Sequence, residues 1–170
     1  MSGKRVVGIV MYGEIKENKD IWKDWLVYTK SICHALDCRL THYGVESDSM
    51  KDGKVKTLSR SEKKLLEIIN NNENIGWLSF YSLPKNYHTV IGDTEAFLAL
   101  DAKRKYVYCE FSLEKYNESL GKRLLNEMGN FIICNKSEIF SMEKSRGAIN
   151  YVFKGRGDDI SEYPTLEILG

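Results

Sequence analysis

The segment between Gly76 and Ser112 constrains the fold of this chain more than any other. Residues 75–83 (IGWLSFYSL) and 95–112 (EAFLALDAKRKYVYCEFS) are dense in aromatic and β-favouring residues, and a short polar loop separates them. Such runs fit a pleated, half-buried surface better than a helix. The second run divides into a hairpin. With 102–105 as its loop, Asp101 faces Tyr106, Leu100 faces Val107, Leu98 opposes Cys109 and Ala96 opposes Phe111. Ala96, Leu98, Leu100, Val107, Cys109 and Phe111 then share one apolar face. The other face carries Asp101/Tyr106, Ala99/Tyr108 and Phe97/Glu110, aromatic but polar-tipped. Periodicity alone leaves open whether that second face lies under a helix or meets solvent.

Helical periodicity appears on both sides of this block. Trp22, Trp25, Leu26, Thr29, Cys33 and Leu36 recur at steps of three and four, which predicts a helix over 20–36. A second helix opens at Ser59, whose spacing to Glu62 is that of a capping box, and buries Leu65, Leu66, Ile68 and Ile69 before the Asn70-Asn71-Asn72 run ends it. Ser112 is expected to cap a third, lined by Leu113, Tyr116, Leu120, Leu124 and Met128. Expected strands cover 5–12, 39–43, 138–142 and 165–169, while 148–153 is ambiguous and the polar span 44–57 is the most mobile candidate. Hairpins interleaved with helices predict an α+β fold: one domain over 1–170, a mixed or antiparallel sheet, a central aromatic hairpin and about three helices packed on it.

Composition adds limits. A chain of 170 residues can bury enough surface to hold its core without metal or disulfide. Its formal net charge of +1 lacks the basic footprint of a nucleic-acid binder. No run approaches the length of a membrane span, and the N-terminal apolar run is too short for a secretory leader. Cys33, Cys38, Cys109 and Cys134 show no framework spacing, so they are expected as reduced thiols in a cytoplasmic protein.

No residue pattern announces a reaction. Cys33, His34, Cys38 and His42 come nearest to a metal set, but adjacent helical residues point about 100° apart and cannot easily share an ion. Cys109 paired with His88 or His42 would be a nucleophile only if its thiolate were solvated, and its register puts it on the core face. Asp93 and Glu95 can share a face at a strand entrance, and with His88 they mark an alternative: a small enzyme or small-molecule binder with a pocket near 88–95. The Lys-Gly-Arg-Gly-Asp stretch at 154–158 resembles a phosphate cradle, but acidic residues follow it. Lys103, Arg104 and Lys105 beside Tyr106 and Tyr108 resemble a stacking patch for nucleic acid, bordered by Asp101 and Glu110. No catalytic, metal or cofactor residues are assigned.

The aromatic hairpin (WLSFYS with EAFLALDAKRKYVYCEF) and the Trp22/Trp25 pair on the first helix give the chain an overall character. In that character it resembles the immunity proteins of bacterial polymorphic-toxin and contact-dependent growth-inhibition systems. The resemblance implies a non-catalytic protein that binds and neutralises a cognate toxin domain. Tyrosine anchors with bordering charges suit a tight interface, so Phe97, Asp101, Tyr106, Tyr108 and Glu110 are the expected partner contacts.

Overall fold

The computed structural model describes residues 3–86, 94–154 and 163–170. Through them run β1 (Arg5–Ile15), α1 (Ile21–Ala35), β2 (His42–Glu46), β3 (Lys56–Thr57), α2 (Leu58–Asn70), β4 (Trp77–Ser82) and β5 (Ala96–Asp101). There follow β6 (Tyr106–Ser112), α3 (Glu118–Met128), β7 (Ile132–Glu143), α4 (Ala148–Lys154) and β8 (Glu167–Ile168). The strands make one eight-stranded sheet in the order β3-β2-β4-β5-β6-β1-β7-β8, with every neighbouring pair antiparallel. The α+β class holds, and the sheet is the antiparallel one of the two types expected. Both edge strands are only two residues long, and β8 pairs with β7 at Phe140 and Ser141.

The hairpin has the register that its residue pattern predicts. Asp101 lies opposite Tyr106, Leu100 opposite Val107, Leu98 opposite Cys109 and Ala96 opposite Phe111. Alternation then sorts the whole sheet. On the first face Val7, Ile9, Tyr43, Val45, Leu78, Phe80, Leu98, Leu100, Val107 and Phe111 are buried against apolar residues of α1, α2 and α3. Trp25 of α1 is fully buried there, its indole N–H donating to the Leu78 carbonyl at 3.0 Å and its ring edge-on to Phe131. The second face holds a smaller core: Val6, Val10, Tyr12, Tyr106, Tyr108, Phe140 and Met142 under Ala148, Tyr151 and Val152 of α4, with Tyr163 alongside.

Two glycines fit the strands together. Gly8 faces Phe140 across β1 and β7, and the ring lies so close that a Cβ at Gly8 would meet Phe140 Cζ at 2.4 Å. Opposite Gly13 (φ +156) β7 bulges, with Asn135 as its extra residue, and the Ile133 carbonyl occupies the place of a side chain, 1.9 Å from where a Cβ at Gly13 would sit. Pairing resumes beyond the bulge, and β1 runs on to Ile15, past its expected end at Tyr12.

Several expected boundaries move. The second strand is 42–46 and not 39–43, and the polar span after it is anchored: Trp77 lies over Gly44 and Gly53, while the Ser47 and Ser49 hydroxyls donate to Glu73 at 2.9 and 2.8 Å. Helix α2 begins at Leu58 with Thr57 as its N-cap, so Ser59 caps nothing and Glu62 pairs with Lys30 of α1. Ser112 caps only a 3₁₀ turn at Leu113–Lys115; the chain extends at Tyr116, and Asn117 caps α3 by accepting from Leu120 N–H at 2.8 Å. Strand β7 is twelve residues where five were expected, and the ambiguous 148–153 is helical, a fourth helix among the described residues.

Helices α1 and α2 end alike. After α1, Cys38 N–H donates to Cys33 O and Asp37 N–H to His34 O; after α2, Glu73 N–H donates to Ile68 O and Asn72 N–H to Ile69 O. Asp37 and Asn72 are both left-handed at φ 53, as this double-bonded helix stop, the Schellman motif, requires. The asparagine run therefore closes α2 by a defined turn and not by fraying.

Candidate functional site

Cross-strand pairing arranges the second face in three rungs. The first runs Gly8, Glu110, Phe97, Tyr81 and His42; the second Val10, Tyr108, Ala99, Ser79 and Gly44; the third Tyr12, Tyr106, Asp101, Trp77 and Glu46. Over β1, β6 and β7 these rungs lie beneath α4. Over β4 and β5 the middle rung is small (Ala99, Ser79) while its neighbours are large, so the face dips into a trough. Among the described residues the trough is lined by Trp77, Ser79, Tyr81, Phe97, Tyr106 and, from the helix side, Ile149 and Phe153. It encloses about 260 Å³.

Charged groups stand around this aromatic floor. Glu110 is partly buried and accepts a hydrogen bond from the Tyr108 hydroxyl at 2.7 Å. Burial raises its carboxyl above the ordinary range, while that hydroxyl and the Lys144 ammonium hold the rise back. Lys144 donates to the Thr94 carbonyl at the rim. Asp101, only 2% exposed, accepts from Arg104 N–H at 2.7 Å and from the Arg104 guanidinium at 3.3 Å, and so fixes the hairpin loop. The same guanidinium lies 5.0 Å from the centre of the Phe153 ring. Burial raises the phenols of Tyr81, Tyr106 and Tyr108, so each remains a neutral hydroxyl at physiological pH.

The five expected contact residues all lie on this face, and the structure divides them. Phe97 and Glu110 are partly exposed in the trough. Tyr106 and Asp101 line it but are 4% and 2% exposed, forming floor and wall. Tyr108 is fully buried, parallel to Phe140 at 6.4 Å, and reaches the site only through its hydroxyl on Glu110. Both outcomes that periodicity left open are realised: α4 roofs one half of the face, and the other half stays accessible. Sequence reasoning did not assign Trp77, Ser79 and Tyr81 of β4, nor Ile149 and Phe153 of α4. The signal for the strand residues was present, since W-x-S-x-Y matches the large-small-large spacing of F-x-A-x-D.

The other sequence candidates fall elsewhere. Lys103 pairs with Glu46, Arg104 with Asp101 and Lys105 with Glu14, so each cation of the hairpin loop faces an acid. Cys33 and Cys38 meet at the end of α1, whereas His34 is exposed and His42 lies on the opposite sheet face. Among the described residues no three His, Cys, Asp or Glu side chains are grouped to hold a metal. Cys109 sits on the core face, its thiol pushed up by burial. His88, Asp93 and 155–158 lie outside the described residues; Glu95 is exposed and accepts from the Ser82 hydroxyl at 3.3 Å. No described helix is long and apolar enough to cross a membrane. Comparison with protein-family profiles, with curated proteins and with solved structures yields no match to this chain.

Proposed function

We propose that this chain is a non-catalytic immunity protein that binds a cognate bacterial toxin domain, and that a segment of the toxin seats in the trough over β4 and β5. The observation that carries this reading is the half-roofed second face. Trp77, Tyr81 and Phe97 remain partly exposed on stiff, paired strands, and a charged rim surrounds them. Rigid aromatic rings lose little side-chain entropy on binding, and residues of this kind dominate interface energetics, each costing about 2 kcal/mol or more on truncation. The pairing of rim cations with Glu46 and Asp101 keeps the hairpin loop in one conformation, which favours shape-matched recognition.

The test is co-expression with toxin domains encoded beside this gene. Wild-type protein is expected to restore growth and to co-purify with one such domain, while Tyr81→Arg and Phe97→Arg lose both properties, Tyr81→Arg at the wild-type melting temperature. Growth protection that survives both substitutions would place the interface elsewhere. No protection against any neighbouring toxin would remove the reading.

A second reading has its own support in the size of the recess. About 260 Å³, lined in part by Thr94, suits a small organic molecule stacked on Phe97 with a hydrogen bond to Glu110. A thermal-shift screen against metabolites separates the two, because a bound small molecule raises the melting temperature without any protein partner.

A further inference from the structure

The end of α1 holds a second chemical feature, on the sheet face opposite the trough. In the Schellman motif the residues three before and two after the helix cap are brought side by side, and an apolar contact usually fills that position. Here those residues are Cys33 and Cys38, joined by the Cys38 N–H to Cys33 O bond of 2.9 Å. Cys33 is 1% exposed and Cys38 is partly exposed, so one sulfur faces the core and its neighbour reaches toward solvent. Around them stand the Ser82 hydroxyl, the buried Cys109, and Lys115, whose ammonium donates to the Leu36 carbonyl between the two cysteines. We propose that Cys33 and Cys38 form a dithiol site that reacts with low-molecular-weight disulfides and closes to a Cys33–Cys38 disulfide across the helix stop.

The local chemistry sets the order of events. The Cys33 thiol donates a hydrogen bond to Cys38, and the Ser82 hydroxyl and the Lys115 ammonium add to its effect, which lowers the Cys38 thiol. The bond to Cys38, together with burial, raises Cys33. The pair thus gives up one proton readily and holds the other. The Cys38 thiolate attacks one sulfur of the small disulfide, forming a mixed disulfide and releasing one small thiolate. Cys33 then attacks Cys38 Sγ, and its proton passes to the second small thiolate, which leaves as the thiol. Two protein thiols are oxidised and one small disulfide is reduced to two thiols.

The probe is oxidised glutathione, applied to native protein carrying Cys134→Ser to remove the exposed thiol of β7. Cleavage after Lys30 and Arg39 releases residues 31–39 as one peptide that contains both cysteines. After denaturation and alkylation, two of the three thiols left in this variant are expected to be blocked to alkylation and restored by reductant. The 31–39 peptide should be lighter by two hydrogens. Cys33→Ala should stop the reaction at a glutathione adduct on Cys38, and Cys38→Ser should abolish it. Because peptide mapping of the parent protein needs neither variant, a folding defect in one of them does not blunt the test. A Cys38–Cys109 cross-link, or both thiols staying alkylatable after prolonged exposure, would overturn the assignment.

Discussion

Replacing Gly8 with alanine tests how the second core is fitted together. The new Cβ would stand 2.4 Å from Phe140 Cζ and 2.7 Å from Cε1, well inside contact distance. Phe140 cannot simply tilt away: it is fully buried, parallel to Tyr108 on one side and edge-on to Tyr151 of α4 at 4.7 Å on the other. Overpacking of this kind costs about 1–3 kcal/mol. The lower entropy of the unfolded alanine chain returns about 0.4–1 kcal/mol. Gly8→Ala should therefore lose about 1–2 kcal/mol, which for a chain of this size lowers the melting temperature by roughly 2–8 °C. Urea titration followed by tryptophan fluorescence measures it, with a lower midpoint and an unchanged slope expected. Phe140→Leu supplies the decisive background, since removing the ring removes the clash, and Gly8→Ala should there be close to neutral. A variant as stable as the parent, or an equal loss in both backgrounds, would refute the account of Phe140 as a ring seated on glycine.

Two further substitutions probe the two cores by other means. Trp25→Phe deletes the indole N–H bond to Leu78 O and part of a fully buried ring system, so a loss of about 2–4 kcal/mol is expected by calorimetry; a loss under about 1 kcal/mol would contradict the packing described. Glu110→Gln tests the partly buried carboxylate through pH. Because burial raises Glu110 above its ordinary 4.5 in the folded chain, the unfolded chain ionises first as pH rises. Below that value both states are protonated and the residue adds no pH dependence. Above it, stability falls until the folded carboxyl also ionises, and the penalty then stays constant. The glutamine variant should thus be more stable than the parent at neutral pH, with the advantage vanishing in acid. Urea midpoints across pH read this directly, and an advantage independent of pH would rule out the carboxylate as its source.

How much could be read from sequence depended on whether the determining contacts were local. The hairpin register was readable because large apolar residues alternate on both strands around a short loop, and a one-residue slip would bury Asp101 and Glu110 in the main core. The stripe of α1 was readable for the same reason. The start of α2 was not: the Ser59/Glu62 spacing fits a capping box, yet Glu62 is held by Lys30 of another helix, a partner distant in sequence. The length of β7 was hidden because residues 133–137 are exposed with polar Asn135, Lys136 and Ser137 among them, and it is pairing to β1 that makes this stretch a strand. Helix α4 is a seven-residue element whose apolar side exists to cover Phe140 and Tyr108. Short apolar runs of that kind carry no decisive period.

The division of labour between the two faces bears on how trough variants can be interpreted. Among the described residues most of the buried aliphatic and aromatic side chains lie on the first face beneath α1, α2 and α3, and none of the trough-lining side chains contributes to that core. Tyr81 and Phe97 touch each other at 5.0 Å and are partly exposed, so exchanging either for arginine lets the long side chain reach water while its methylene stem still covers the strand. At Tyr81 the penalty for such a change falls on whatever occupies the trough, whereas at Phe97 part of it falls on the second core. Phe97 also meets Tyr108 edge-on at 5.9 Å, so of the two positions Tyr81 gives the cleaner separation of binding from stability. A Tyr81→Arg protein that melted well below the parent would mean that the β4 side of the second face is structural and that the partner surface lies elsewhere.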